Sequence, residues 1–473
     1  MNDNNLEPFW SVGEGGTTSI DNYNFMKFLE VNHFFKNKPN DNSSFNMIQK
    51  DGIFLKIKDE VDIKDFVIDY IKENKLGKNV YNLMTGNLKF FKRDFLSMIK
   101  SDKIETLKDT KDISYLFFQN GVLETKKDIS VLKKYTDFNL SIWENQVIKR
   151  KYIKSDHHQS VFREFIWKIS GGFETPNKND AMYISAVERY NTFQSVIGYL
   201  IHSYKSSSNN KAIILNDEMI SDEPNGRSGK GILWNALKQM KKVQSLDGKK
   251  FSFNGDFPYQ SVKTDCQVLV FDDVKPNFQF INLFSVITEG IEITYKGKDT
   301  IKLPVEESPK ILITTNYVIK GTGGSHEARK FEVELSSFFN ANYCPIDYFK
   351  HTLFDDWDIK EWARFDCYMV ECLKKYLANG LIPYKSISLP YKKFELELGK
   401  ELFECIKNIE KNVWINSDDF FNQYQSSLSK KWDVKSKTMV TKSIKKYCDF
   451  FGLDYDTTKS GNVVKFIIKY REI

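Results

Sequence analysis

The sequence predicts an α/β fold, with a parallel-sheet core, a mainly helical region ahead of it and a small helix-and-hairpin domain behind it. Three observations carry that prediction. Lys211–Asn216, Val268–Asp273 and Lys310–Asn316 are short apolar runs without the alternation of a half-exposed strand, and strands buried on both faces belong in the middle of a parallel sheet. The second and third runs end in polar residues that suit a ligand edge. Between the first two lies a glycine-bearing loop followed by helical spacing over Ile232–Met240.

That loop is Glu223-Pro224-Asn225-Gly226-Arg227-Ser228-Gly229-Lys230-Gly231. In a strand–loop–helix layout its backbone N–H groups and the helix N-terminus can cradle phosphates, while Lys230 reaches them with its charge. Asn225, Gly226, Arg227, Ser228, Gly229, Lys230 and Gly231 are therefore the candidate phosphate cradle. Lys230 is expected to stand exposed in the loop and to contact only phosphate. The match to the phosphate-loop pattern is incomplete: Pro224 occupies the first glycine position, and Gly231 stands where a hydroxyl normally holds Mg2+. At the end of the second run, Asp272 and Asp273 can divide two tasks, holding Mg2+ and polarising an attacking water. Asn316 closes the third run with an amide that can orient water near a γ-phosphate, and the Gly-rich segment Gly321–Phe331 delivers Arg329.

In this order and spacing the set resembles a superfamily 3 helicase of the AAA+ class, in particular the helicase half of the primase–helicase proteins of phages, satellites and mobile elements. The resemblance covers roughly residues 75 to 345. It implies that Lys230 is the Walker A lysine, Asp272 and Asp273 the Walker B pair, Asn316 the sensor of motif C, and Arg329 the finger entering a neighbour's ATP site. It also implies ATP and Mg2+ as cofactors, a ring-shaped homo-oligomer, taken as a hexamer, and single-stranded DNA in a central channel. Ile291–Leu303 reads as a hairpin around Lys296-Gly297-Lys298, in the place of the family's DNA-gripping hairpin. Leu116–Glu124 is similar to the segment opening the pre-helicase region. Two departures bear on turnover: Gly231 removes the metal hydroxyl, and Ala328 stands where a second arginine is common. No primase is expected, since the N-terminal region is short and holds no carboxylate cluster for metal. Three alternatives stay open: a DNA-binding replication initiator that uses ATP as a switch, a non-helicase AAA+ motor for packaging or defence, and a protein whose phosphate loop is vestigial, against which the intact Asp-Asp and Asn argue.

Composition excludes several classes. Hydrophobic and aromatic contents of 41% and 15% are ample for buried cores, so disorder is not expected. Lys+Arg 69 against Asp+Glu 63 leaves +6, too little to signal nucleic acid unless the lysines cluster. Six cysteines form no C-x-x-C pair, which argues for reduced thiols in a cytoplasm and against zinc. His157 and His158 are adjacent, so on a helix their rings would point apart. No apolar run approaches a membrane span, and a soluble protein without a membrane partner is expected.

The domain reading is as follows. Residues 1–62 form an arm, loose to about residue 25, and a hairpin around Asp51-Gly52; residues 63–200 are mainly helical; residues 201–380 are the ATPase core, with a helical segment at Trp357–Leu377 as its lid; residues 381–399, with Pro383 and Pro390, are a linker. Lys149-Arg150-Lys151 reads as a solvated face. Residues 400–473 read as a winged helix that contacts duplex DNA. Ser417–Phe421 starts one helix, Ser436–Phe451 is a basic helix carrying Lys437, Lys442, Lys445 and Lys446, and Leu453–Tyr470 is a hairpin turning at Lys459–Asn462.

Overall fold

Five parallel strands form the central sheet of the computed structural model: β1 (Ala212–Asp217), β2 (Val243–Asp247), β3 (Val268–Val274), β6 (Lys310–Thr315) and β7 (Lys330–Leu335), in the spatial order β2-β3-β6-β1-β7. A separate antiparallel pair, β4 (Gly290–Ile293) and β5 (Ile301–Pro304), is inserted between β3 and β6. Residues 7–38, 45–218, 227–296, 300–321, 323–386, 388–428, 434–461 and 463–471 are described. The chain divides into two units, Met1–Lys385 and Ser386–Ile473.

Both faces of the sheet are covered, which is why its strands are apolar throughout. Ile213, Leu215, Val268, Val270, Leu312 and Val333 pack with the helices Val161–Ile169, Ala181–Ile201, Lys230–Lys238 and Ile359–Asn379. Ala212, Ile214, Leu269, Phe271, Ile311 and Ile313 face Val262, Phe280, Leu283 and the hairpin residues Ile291, Ile293 and Leu303. From β1 the chain runs through the Lys230–Lys238 helix to the far edge, then returns through β3 and β6 to the flank of β1. The C-terminal ends of β1, β6 and β3 thus lie side by side, where open α/β sheets bind ligands. Ile359–Asn379, expected as a lid, packs into the main core beside Ala181–Ile201.

Ahead of the sheet the structure corrects three expectations. Residues 63–200 are helical at both ends but not throughout: Ser114–Phe118, Gly121–Thr125 and Ser130–Lys133 form an antiparallel sheet, and Ile142–Trp143 joins the strand Phe54–Lys58. Leu116, Phe118 and Leu123 enter the main core while Phe117 and Val122 fill a second cluster, so period two wins over the helical period around the Asn120-Gly121 turn. Residues 9–25 are no loose arm, since Trp10–Val12 pairs with Thr18–Ile20 and Phe9 and Phe25 are buried among Phe28, Phe34, Phe90 and Phe91. Arg150, placed on a solvated face by sequence, turns inward: its Nε donates to Asp366 Oδ2 at 2.8 Å and its guanidinium covers Trp362 at 4.6 Å.

The second unit holds the helices Leu389–Leu398, Lys400–Lys407, Ser417–Ser427 and Lys437–Phe451 and a three-stranded sheet, ordered Ile415–Asn416, Val463–Tyr470, Leu453–Ser460. Residues 389–398 are helix, where the sequence reads as linker. Pro390 sits in the first helical turn, where proline is tolerated; Leu389 is buried, and Phe394 and Leu398 enter this unit's core with Phe403, Tyr447 and Phe466.

Candidate functional site

Lys230 opens the helix after the phosphate loop, and Gly229 makes that start possible. The glycine is the N-cap at φ +103°, and a Cβ there would lie 2.7 Å from Phe165 Cζ, so only glycine fits. Lys230 is not exposed, contrary to the sequence expectation, and it has protein partners. Its Nζ donates to Asp217 Oδ2 at 2.5 Å, to Asn316 Oδ1 at 2.6 Å and to Ser228 Oγ at 3.3 Å. Apolar packing of the helix against Ile213 and Phe165 on one side of the sheet holds the ammonium under the ends of β1 and β6. Asn225 and Gly226 lie outside the described residues. Arg227, at φ +74°, reaches Cys344 Sγ at 3.7 Å. Gly231 is open: a Cβ there would meet only Trp234 Nε1, at 3.9 Å.

The carboxylate pair is one strand further along. Thr314 Oγ1 donates to Asp272 Oδ1 at 2.7 Å and accepts the Asp273 N–H at 2.7 Å. The β3–β6 register shifts between Phe271 and Val274, and Asp273 stands there at φ +57°. That irregularity aims the two neighbouring carboxylates differently. Asp273 pairs with Lys249, whose pKa is raised chiefly by that hydrogen bond. Lys230, Ser228 and Asn316 are thus in direct contact; Asp272 is reached through the β3–β6 ladder and Thr314; Asp273 is engaged by Lys249.

Arg329 is elsewhere. It ends the short helix before β7, and Lys330 pairs with Ala212, at the opposite end of β1 from Asp217. Its Nη1 donates to Ser325 O at 3.1 Å and its guanidinium lies 4.7 Å from the Phe284 ring centroid. In the β4–β5 hairpin, Lys296 is exposed beyond a Thr294–Thr300 side-chain hydrogen bond of 2.7 Å; Lys298 lies outside the described residues. In the second unit, Lys437, Lys442, Lys445 and Lys446 are all exposed on one helix. Lys437 is paired with Asp418 at 2.7 Å, Lys446 with Glu397, and Lys445 lies over Tyr455. His157 and His158 do not point apart: they sit in a one-turn 3-10 helix with ring centroids 4.1 Å apart, beside Asp156.

Sequence reading missed Asn216 and Asp217, the polar pair closing β1 as Asp272-Asp273 closes β3. Both amide atoms of Asn216 and Asp217 Oδ1 are buried without a hydrogen-bond partner. Unpaired buried polar atoms call for an explanation, and these lie beside Lys230 at the C-terminal end of β1, where open α/β sheets bind ligands. A phosphate chain with its metal fits this donor and acceptor set: Lys230 and the loop amides for phosphate, Asp272 and Asp217 for a hard cation.

No protein family model matches the chain, and no curated protein does. Among solved structures, a crystal structure of JCV helicase with a bound N-(4-(2-(thiazolo[5,4-c]pyridin-2-yl)phenoxy)phenyl)acetamide is similar to it at 14% identity, over 52% of this chain and 69% of that one, with a TM-score of 0.22.

Proposed function

We propose that the protein is an ATP-dependent DNA helicase of the superfamily 3 type, working as a ring in the replication of a phage or mobile element. What supports this reading above all is the meeting of Lys230 with Asn316, 86 residues apart in sequence, at 2.6 Å on the ligand edge of a parallel sheet. In the reading, Lys230 binds the β- and γ-phosphates and Asn316 orients the attacking water. Thr314 holds Asp272 toward the metal, and Asp273, once released from Lys249, accepts the water's proton. Bound Mg2+ would supply charge neutralisation between the phosphates. Arg329 stands about 17 Å from its own site, five strand steps of roughly 3.3 Å, so it serves a neighbouring subunit. Lys296 and Lys298 grip single-stranded DNA in the channel. The second unit, read as a winged helix, binds duplex through Lys437, Lys442, Lys445 and Lys446.

ATPase activity of the purified chain, with and without single-stranded DNA, tests the reading. DNA-stimulated hydrolysis that Asn316→Ala abolishes, and that Arg329→Ala abolishes but partly regains on mixing with the Asn316→Ala protein, is the expected result. Hydrolysis unchanged by Asn316→Ala would refute the site. Gly231 favours a second reading, a DNA-binding initiator switched by ATP, because it offers the metal no hydroxyl. ATP-dependent assembly on DNA without unwinding would select it.

A further inference from the structure

Lys230 has three N–H donors, and all three are spoken for: Asp217, Asn316 and Ser228 each accept one. An incoming phosphate oxygen must take the place of at least one of them. Asp217 is the anionic one of the three, and so it occupies the position on the ammonium that a phosphate oxygen would fill. The carboxylate cannot retreat into solvent. It ends a strand whose register is fixed against β7, Asp217 opposite Leu335, and only 12% of its side chain is exposed. Its second oxygen is buried and unpartnered, as is the whole amide of Asn216 beside it. When a phosphate chain reaches Lys230, two anions therefore share one poorly hydrated recess, where like charges repel strongly.

We infer that Asp217 makes nucleotide binding conditional on a divalent cation: it blocks Lys230 until a metal arrives with the phosphates, and its free oxygen then faces that metal. This inference rests on the nucleotide reading of the loop and deepens it. It also accounts for Gly231. The position where a hydroxyl would meet the metal is bare, while an extra carboxylate stands at the end of β1. The role belongs to Asp217 and not to the pair at the end of β3, because Asp217 is the carboxylate bonded to Lys230, whereas Asp272 accepts from Thr314 and Asp273 pairs with Lys249.

Equilibrium binding of fluorescently labelled ADP and ATP to the full chain, in excess Mg2+ and in chelator, tests this without reference to turnover. The parent is expected to bind at least tenfold more weakly in chelator. Asp217→Asn, which keeps the shape and removes the charge, should bind metal-free nucleotide about tenfold more tightly than the parent and lose most of the Mg2+ dependence. Competition by inorganic pyrophosphate on the unaltered parent gives a second measurement that needs no variant: it should displace nucleotide in Mg2+ and fail in chelator. Pyrophosphate that competes equally in both conditions overturns the inference, as does an Asp217→Asn protein with parental Mg2+ dependence. Those results would leave the nucleotide site standing. A parent that binds no nucleotide in Mg2+ overturns the site and the inference together.

Discussion

Lys230→Ala, the substitution ordinarily made to silence a phosphate loop, is expected here to weaken the fold as well. The lysine and Asp217 are each only 12% exposed and meet at 2.5 Å. Removing one partner of a buried pair leaves the other charge stranded, at about 3–5 kcal/mol. Residual hydration lowers that to about 2 kcal/mol, and the lost hydrogen bond to Asn316 adds about 1 kcal/mol. A total of about 3 kcal/mol corresponds to a fall in Tm of roughly 4 °C for a unit of this size. Circular dichroism melts without nucleotide, at fixed pH and salt, read the effect. The double variant Lys230→Ala with Asp217→Asn removes the stranded charge and should recover at least half of the loss. A single variant that melts within about a degree of the parent would refute the pair, and with it the claim that Lys230 is occupied before nucleotide arrives.

Thr314→Val removes the hydroxyl that bridges Asp272 and the Asp273 N–H; it should cost about 1–3 kcal/mol in chemical denaturation and slow hydrolysis more than it weakens nucleotide binding. Gly229→Ala puts a Cβ at φ +103° against Phe165 and should abolish nucleotide binding in direct titration, whereas Gly231→Ser, with open space around it, should bind at least as well as the parent. His202 is buried, with Nε2 against Thr110 O, and its pKa is lowered to about 4, chiefly by burial, with Asp109 opposing and Lys310 and Lys241 adding to the effect. A folded pKa below the unfolded value of about 6.5 means the unfolded chain takes the proton first, so stability should fall as pH drops from about 6.5 toward 4, by about 3 kcal/mol in all; urea midpoints for parent and His202→Gln should converge across that window.

How much of this was legible depended on whether the deciding interaction is local. The runs ending in Asn216, Asp273 and Asn316 announce buried strands because each must be apolar on two faces, and polar residues at their ends have nowhere to go but the sheet edge. The Gly-Lys pair is legible for the same local reason, since one glycine must adopt positive φ for the helix to begin. The strands at 114–133 were hidden because Leu116, Phe117, Phe118, Val122 and Leu123 are apolar toward two different clusters, which erases the alternation that marks a strand. Pro390 misled for the opposite reason: the same ring that breaks a helix interior starts one at its first turn. Asp217 was hidden most deeply. The loop that follows marks the strand end but not this carboxylate, whose meaning comes from Lys230, 13 residues on, and from β6 settling beside β1 to bring Asn316 to the same ammonium. A carboxylate that sits unremarked at a strand end in sequence is, in the fold, the ion-pair partner of Lys230, so any variant at either residue reads out both partners.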